Sequence, residues 1–199
     1  ASAEKQFRYP LEYGNQRPLA STWTVTGAGA YIVGDKPLDK KKCVLIKGIT
    51  TGKIVDYGVK DSMNMGACMA PAAAELIEAN FKDLDVDKDY YDAIFTGDLG
   101  EIGNRILSEL LKEKGIDIAD KLFDCGMLIY EGETKCSGGS GCGCSAVVLG
   151  TYIMDKLVRG EYKRVLFAPT GALLSTVSYN EGKSVPGIAH GVILEGRES

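Results

Sequence analysis

The stretch YDAIFTGDLGEIGNRILSELLKEKG, residues 91–115, predicts the strand–loop–helix unit on which the predicted fold depends. Residues 91–96 combine aromatic, β-branched and small apolar side chains, as a buried central strand does. A glycine-containing loop, residues 97–100, follows the strand. Five apolar residues at helical spacing then give the next segment one apolar face: Ile102, Ile106, Leu107, Leu110 and Leu111. Gly115 follows this face and predicts the end of the helix.

Further strands and helices alternate on both sides of this unit. Before it, the pattern predicts a buried strand at residues 23–34, a possible hairpin of strands 43–49 and 54–59, and a helix at 70–83 with Pro71 near its first turn. After it, the pattern predicts a helix at residues 146–159, a strand at 164–169 and a last strand at 191–195. This alternation predicts a layered α/β fold with a largely parallel central sheet and ligand loops at its edge.

Composition excludes several classes of function. The 199 residues carry a formal net charge of -4 and no basic stripe, so we expect no nucleic-acid partner. No run of about 18 apolar residues and no signal-peptide pattern occurs, so we expect neither a transmembrane helix nor an export signal in this chain. The first residue is not Met, and we expect the chain to be part of a longer protein.

The cysteines predict free thiols rather than a disulfide framework or a metal site. They form no paired CxxC motifs, and a single histidine leaves little for a Cys/His zinc site. The six cysteines are Cys43, Cys68, Cys125, Cys136, Cys142 and Cys144.

A glycine-rich turn, CSGGSGCGCSA at residues 136–146, leads into the predicted helix 146–159. Backbone N–H groups at such a helix start can hold a carboxylate, although the glycines can equally serve close packing of the helix on the sheet. The helix dipole could activate Cys142 or Cys144, but without a second histidine as a base, buried inert cysteine is the favoured interpretation.

Asp98 and His190 are the remaining candidate functional residues. Asp98 lies in the loop at a strand end, where it could bind a ligand or cap the following helix. His190, the only histidine, stands at the entry to the last strand in PGIAHG, residues 186–191. The spacing places no acid or nucleophile beside it, which favours a structural histidine over a general base.

Several motifs are similar to those of the stage V sporulation protein AD family, a branch of the thiolase-like superfamily. They are AEKQFRYPLEYG at 3–14, MNMGACMAPAA at 63–73, FTGDLG at 95–100, GGSGCGCSA at 138–146, TGALLS at 170–175 and PGIAH at 186–190. The resemblance implies a thiolase-like α/β fold, with a central mixed sheet and helices on its faces. It also implies that this chain is the C-terminal portion of a longer protein. Residues 1–40 would end the first thiolase-like half, and residues 41–199 would form the second.

The resemblance further implies a binding function rather than catalysis. Acyl-transferring members carry a histidine where this chain has Gly97-Asp98, or a Gly-His-Pro where it has Gly139-Ser140-Gly141. A second catalytic cysteine of degradative thiolases would align near residues 169–171, where none stands. The acyl-accepting cysteine would precede this chain. We therefore expect a ligand site without a catalytic residue, formed by Asp98, Gly139, Ser140, Cys142 and His190.

The implied ligand is dipicolinic acid, pyridine-2,6-dicarboxylate, taken up into the developing spore. The expected donors to its carboxylates are N–H groups of the glycine-rich turn, the Ser140 hydroxyl and His190. Asp98 beside this dianion requires that it orient a donor, be protonated or bind through Ca2+, and we expect no other cofactor. The implied partners are other stage V sporulation A proteins at the spore inner membrane, on its cytoplasmic face, and a second copy paired through residues 23–34. An acyl-CoA-dependent, ketoacyl synthase-like acyltransferase and a scaffold with a vestigial pocket remain as alternatives.

Overall fold

The structure is a computed structural model that describes residues 20, 22–37, 39, 43–132 and 137–196. The strands are β1 (Trp23–Thr24), β2 (Val44–Thr50), β3 (Ala93–Thr96), β4 (Leu122–Asp124), β5 (Gly139–Ser140), β6 (Arg164–Ala168), β7 (Thr170–Ala172), β8 (Gly187–Ala189) and β9 (Gly191–Gly196). The helices are α1 (Met65–Leu84), α2 (Gly100–Glu113), α3 (Cys125–Ile129), α4 (Cys144–Val148), α5 (Met154–Val158) and α6 (Thr176–Asn180). A 3-10 turn covers Lys88–Tyr90, and a π-helical segment, Leu149–Ile153, joins α4 to α5.

Five strands form the central sheet in the order β2-β9-β6-β3-β4. β3 runs parallel to both β4 and β6, whereas β9 runs antiparallel to both β2 and β6. The predicted layered α/β fold with a central mixed sheet is therefore confirmed, and the expectation of a largely parallel sheet is wrong. The small sheets β1-β5 and β7-β8 lie outside the central one.

Helices cover both faces of the central sheet because its middle strands are apolar on both sides. Ile94 and Leu166 face one cluster, which includes residues of α1 and α2. Phe95 and Phe167 face the other cluster, which includes residues of α4 and α5. All four residues of β3 are buried, as a central strand between two helical layers requires.

Several predicted boundaries are confirmed. β3, β6 and β9 lie where strands were expected, and α2 presents its apolar face to the core. Gly115 and Gly160 have φ values of 79° and 74°, as glycines that follow helix ends often do. α1, however, begins at Met65, because the Asn64 side chain accepts a hydrogen bond from Ala67 N and caps it there. Pro71 consequently lies inside this helix rather than at its start.

Other expectations are corrected. Within residues 23–34 only β1 forms a strand, and Ile32 and Val33 are exposed. The expected hairpin does not form: β2 pairs with β9, and residues 54–59 contribute a single bridge, from Val55 to Gly187. β9 offers β2 a six-residue register, a long-range pairing that local sequence patterns do not reveal. β4 and α3 were not predicted.

Residues 3–14 of the family motifs, and Cys136, lie outside the described residues. Across the part of the chain that the structure describes, no helix is both long and apolar enough to cross a membrane.

Candidate functional site

The carboxyl ends of the parallel strands β3, β4 and β6 lie at one edge of the central sheet. Three connections leave from this edge: residues 97–99 lead into α2, Asp124 leads into α3, and residue 169 leads into β7. Open α/β sheets place their ligands at such edges. The turn at residues 141–143, which follows β5, packs against the same edge.

Asp98 connects two of these loops to the turn. Its carboxylate accepts hydrogen bonds from Ser140 Oγ at 2.8 Å, from Gly141 N at 3.1 Å and from Thr170 Oγ1 at 3.1 Å. Thr170 Oγ1 also accepts from Asp98 N at 3.3 Å. Leu99, rather than Asp98, stands at the N-cap position of α2, and the Leu99 side chain forms no capping hydrogen bond. Because the Ser140 proton points at Asp98, the hydroxyl donates within the protein in this arrangement.

The glycines of the turn allow close backbone packing. Gly141 has a φ of 126°, a conformation that other residues rarely adopt. A Cβ on Gly126 would lie 1.9 Å from the carbonyl oxygen of Gly139, so α3 packs directly on β5. β5 in turn pairs with β1, through Trp23 N to Gly138 O and Val25 N to Ser140 O. The turn therefore serves packing, and any role in binding an anion is additional.

Cys142 and Cys144 are both free thiols but differ in environment. Cys142 is exposed, whereas Cys144 is fully buried and donates to the carbonyl oxygen of Gly97 at 3.5 Å. Burial, followed by the nearby Asp98 carboxylate, raises the pKa of Cys144. The expectation of a buried cysteine is thus confirmed for Cys144 and wrong for Cys142, because the turn leaves the Cys142 side chain exposed. Among the described residues, the backbone N–H groups of Cys142 and Gly143 donate no hydrogen bond to the protein.

His190 directly follows β8, and β8 pairs with β7, the strand whose Thr170 contacts Asp98. Its neighbour Ala189 pairs with Thr170 across β7 and β8. The exposed imidazole accepts a hydrogen bond from Gly52 N at its Nδ1 atom, at 3.1 Å. In the neutral ring, the proton is therefore on Nε2, which presents a donor. None of the described contacts joins the His190 side chain to Asp98 or Ser140.

Asp124, which the sequence did not single out, is the most enclosed carboxylate of the region. It is 2% exposed and accepts hydrogen bonds from five donors. These are Thr96 Oγ1, Leu99 N, Gly100 N, Gly126 N and Met127 N. Burial raises the pKa of Asp124, while hydrogen bonds from Thr96, Leu99 and Gly100 oppose that shift. The sequence does contain a pattern that could have indicated Asp124. It follows a short apolar segment and precedes Cys125-Gly126, as the N-cap residue of a helix does.

A cavity of about 320 Å³, which Asp124 helps to line, opens between β4, α3 and residues 137–138. Leu122, Phe123, Met127, Leu128 and Tyr130 line it, with Glu101 and Glu131 among its polar residues. None of the five predicted site residues lines this cavity. In the described ranges, no group of three or more His, Cys, Asp or Glu residues could hold a metal ion.

Comparison with known proteins identifies relatives of this chain. Two solved structures with similar folds are AbyA1, a tetronic acid condensing enzyme, and 3-oxoacyl-(acyl carrier protein) synthase III, FabH, from Pseudomonas aeruginosa PAO1. They are 15% and 11% identical, have TM-scores of 0.44 each, cover 77% and 78% of this chain, and are themselves covered to 47% and 51%. At these values the likeness says nothing about chemistry.

Similarity in sequence is much closer. The sequence profile of the family Stage V sporulation protein AD (SpoVAD) matches residues 1–195. Stage V sporulation protein AD of Bacillus subtilis (strain 168) is 46% identical over 196 residues, which make up 98% of this chain and 57% of that protein. The chain thus spans just over half the length of this relative. It belongs to the stage V sporulation protein AD family, which places it among the proteins of the fifth stage of sporulation.

Proposed function

We propose that this chain is part of a non-catalytic thiolase-fold protein that binds dipicolinic acid for uptake into the developing spore. It would act together with other stage V sporulation A proteins at the cytoplasmic face of the spore inner membrane. The ligand class comes from the resemblance of the motifs. The contacts at the edge of the sheet support binding without turnover.

The observation that carries the proposal is that the Asp98 carboxylate already accepts hydrogen bonds from within the protein. Acyl-transferring relatives would have a histidine in this loop, and a general base needs an open lone pair directed at the substrate. Here the Asp98 carboxylate receives Ser140, Gly141 and Thr170, all from this chain. These donors disperse its charge, so it repels a bound dianion less than an exposed carboxylate would. Asp98 therefore fits the role of a support that orients the glycine-rich turn.

Two groups remain to receive a ligand carboxylate. The Cys142 N–H lies two residues before α4, next to an exposed side chain, and forms no hydrogen bond with the described residues. His190 keeps its Nε2 proton because Gly52 N occupies Nδ1. Backbone and imidazole donors of this kind bind carboxylates well. Ca2+, which dipicolinate chelates, would enter with the ligand.

The test uses calorimetric titration of the full-length protein with dipicolinate and, separately, with acetyl-CoA. We expect saturable dipicolinate binding and no acyl transfer or hydrolysis of acetyl-CoA. Absence of dipicolinate binding, or turnover of the thioester, would contradict the proposal.

Two substitutions of His190 separate its two contacts. His190→Asn places an oxygen near the Nδ1 position and keeps an acceptor for Gly52, but loses the outer donor. We expect dipicolinate affinity to fall about ten- to hundredfold, the value of one hydrogen bond to a charged group. His190→Gln is the matched control, because its amide NH2 lies near the Nε2 position and keeps the donor while Gly52 loses its acceptor. Equal affinities of the two variants would place the ligand away from His190.

A further inference from the structure

We propose that Asp124 is a positioning residue, which holds the Asp98 loop in the geometry that the site requires. Asp124 contacts the loop, and the loop contacts the glycine-rich turn. The part of this inference that concerns the ligand rests on the proposed function, whereas the part that concerns loop geometry does not.

The two oxygens of Asp124 bind different sets of donors, and both reach the segment of Leu99 and Gly100. Oδ1 accepts from Gly126 N and Met127 N at 3.1 and 3.2 Å, which caps α3, and also from Gly100 N at 3.1 Å. Oδ2 accepts from Leu99 N and from Thr96 Oγ1, both at 2.8 Å. One carboxylate therefore caps α3 with Oδ1, fixes the end of β3 with Oδ2 and holds the start of α2 with both oxygens.

Asp124 shares the capping of α2 with Ser137, because the side chain of Leu99 at the N-cap position cannot accept from the first N–H groups of the helix. Asp124 receives the N–H groups of Leu99 and Gly100. Ser137 receives the next two, Glu101 N at its carbonyl oxygen and Ile102 N at its Oγ atom. Because Asp124 is 2% exposed, water does not compete for these bonds.

The Leu99 N–H belongs to the planar peptide unit that begins at the carbonyl of Asp98. Fixing this unit restricts the backbone of Asp98 and the direction in which its side chain leaves. Asp98 then meets Ser140 and Gly141 from a defined position. Among the described residues, no hydrogen bond joins Asp124 to Ser140 or Gly141, so its influence on them passes through the loop.

Asp124→Asn in the full-length protein tests this chain of contacts. If the amide oxygen takes the Oδ1 position, the cap of α3 is kept, while the amide NH2 faces the Leu99 N–H and cannot accept it. Hydrogen exchange, read at Gly141 N, is the ligand-free measurement. We expect exchange at Gly141 to be at least about tenfold faster than in the wild type, and dipicolinate affinity to fall by about tenfold or more, which corresponds to about 1.4 kcal/mol.

Tyr91→Phe is the control for a general loss of stability. It removes the buried hydrogen bond of 2.7 Å that Tyr91 Oη donates to Asn80 Oδ1. Tyr91 precedes β3, whereas Asp98 follows it, so the two changes lie at opposite ends of this strand. We expect lower stability with unchanged dipicolinate affinity and no selective change at Gly141. If exchange at Gly141 N accelerates equally in this control, the effect of Asp124→Asn reflects a general loss of stability and not a positioning role.

The outcomes separate the two proposals. Wild-type exchange at Gly141 in folded Asp124→Asn overturns the positioning role, whatever the ligand result. If the wild-type protein does not bind dipicolinate, the proposed function fails, and the exchange measurement still decides the role of Asp124. Should Asp124→Asn not fold, Thr96→Val decides, because it removes the hydroxyl that donates to Asp124 Oδ2 and, at a longer distance, to the carbonyl oxygen of Phe123. Unchanged exchange at Gly141 in that nearly isosteric variant also overturns the inference.

Discussion

The Asp98 carboxylate binds side chains that are 42 and 72 residues away in sequence, Ser140 and Thr170. The sequence indicated Asp98 because it lies in the loop at a strand end, and Ser140 because it lies in the glycine-rich turn before a predicted helix. Thr170 lies in a motif that was quoted but was assigned no role. Its hydroxyl both donates to and accepts from Asp98, which only the pairing of loops in space reveals.

The exposure of each cysteine predicts whether its thiol reacts with an alkylating reagent. A brief treatment of the native protein with iodoacetamide should label Cys142 and leave Cys125 and Cys144 unlabelled. Burial shields the latter two and raises their pKa, so that fewer thiolates form at neutral pH. Mass spectrometry of the digested protein measures the labelling at each position.

The same reaction in urea provides the control, because every cysteine should then be labelled. Labelling of Cys144 at the rate of Cys142 in folded protein would contradict the arrangement. It would mean that the α4 start is open to solvent, where an activated thiolate could form.

Among the elements, the crossing of α1 and α2 depends on two glycines. A Cβ on Gly103 would lie 2.7 Å from Gly66 Cα, and one on Gly66 would lie 2.3 Å from the carbonyl oxygen of Leu99. No side chain fits between the helices at this point. The crossing therefore sets where α2 begins, and with it the position of the loop that carries Asp98.

Gly103→Ala should destabilise the protein by about 1–3 kcal/mol, because the added methyl group forces two packed helices apart. Urea denaturation measures the change in the free energy of unfolding. Glu109→Ala on the exposed side of α2 is the control, with an expected change within about 0.5 kcal/mol. Equal stability of Gly103→Ala and the wild type would show that the helices can separate without cost.

In the molecule as a whole, apolar residues remain exposed at Tyr31, Ile32 and Val33, with Ile32 87% exposed. Exposed apolar clusters of this kind often mark interfaces. The predicted assignment of residues 1–40 to a first half and 41–199 to a second remains a prediction, as does the membrane-side location.

The full-length protein should sediment as a homodimer at micromolar concentration, paired through the segment that contains Ile32. Ile32→Glu should shift it toward the monomer, because a charged side chain in an apolar interface carries a large desolvation cost. Sedimentation velocity measures both species. Val177→Glu, in the exposed helix α6, is the control that should leave the dimer intact. A monomeric wild type at this concentration would contradict the prediction.

Local patterns in the sequence are sufficient to predict the class of the fold and the loops that carry Asp98 and Ser140. Hydrophobic periodicity located β3, α2 and β6, because local patterns report which residues face a core. Glycine placement gave the ends of α2 and α5 and the turn that meets Asp98. Motif resemblance gave the family.

The pairing of these elements, in contrast, is visible only in the folded chain. The tertiary structure paired β2 with β9 instead of residues 54–59, and it left residues 26–34 outside any strand. It also committed the Ser140 hydroxyl to Asp98 and gave Asp124 five donors from three segments. Such contacts join residues far apart in the chain, and their energies depend on burial and direction, which no local pattern encodes.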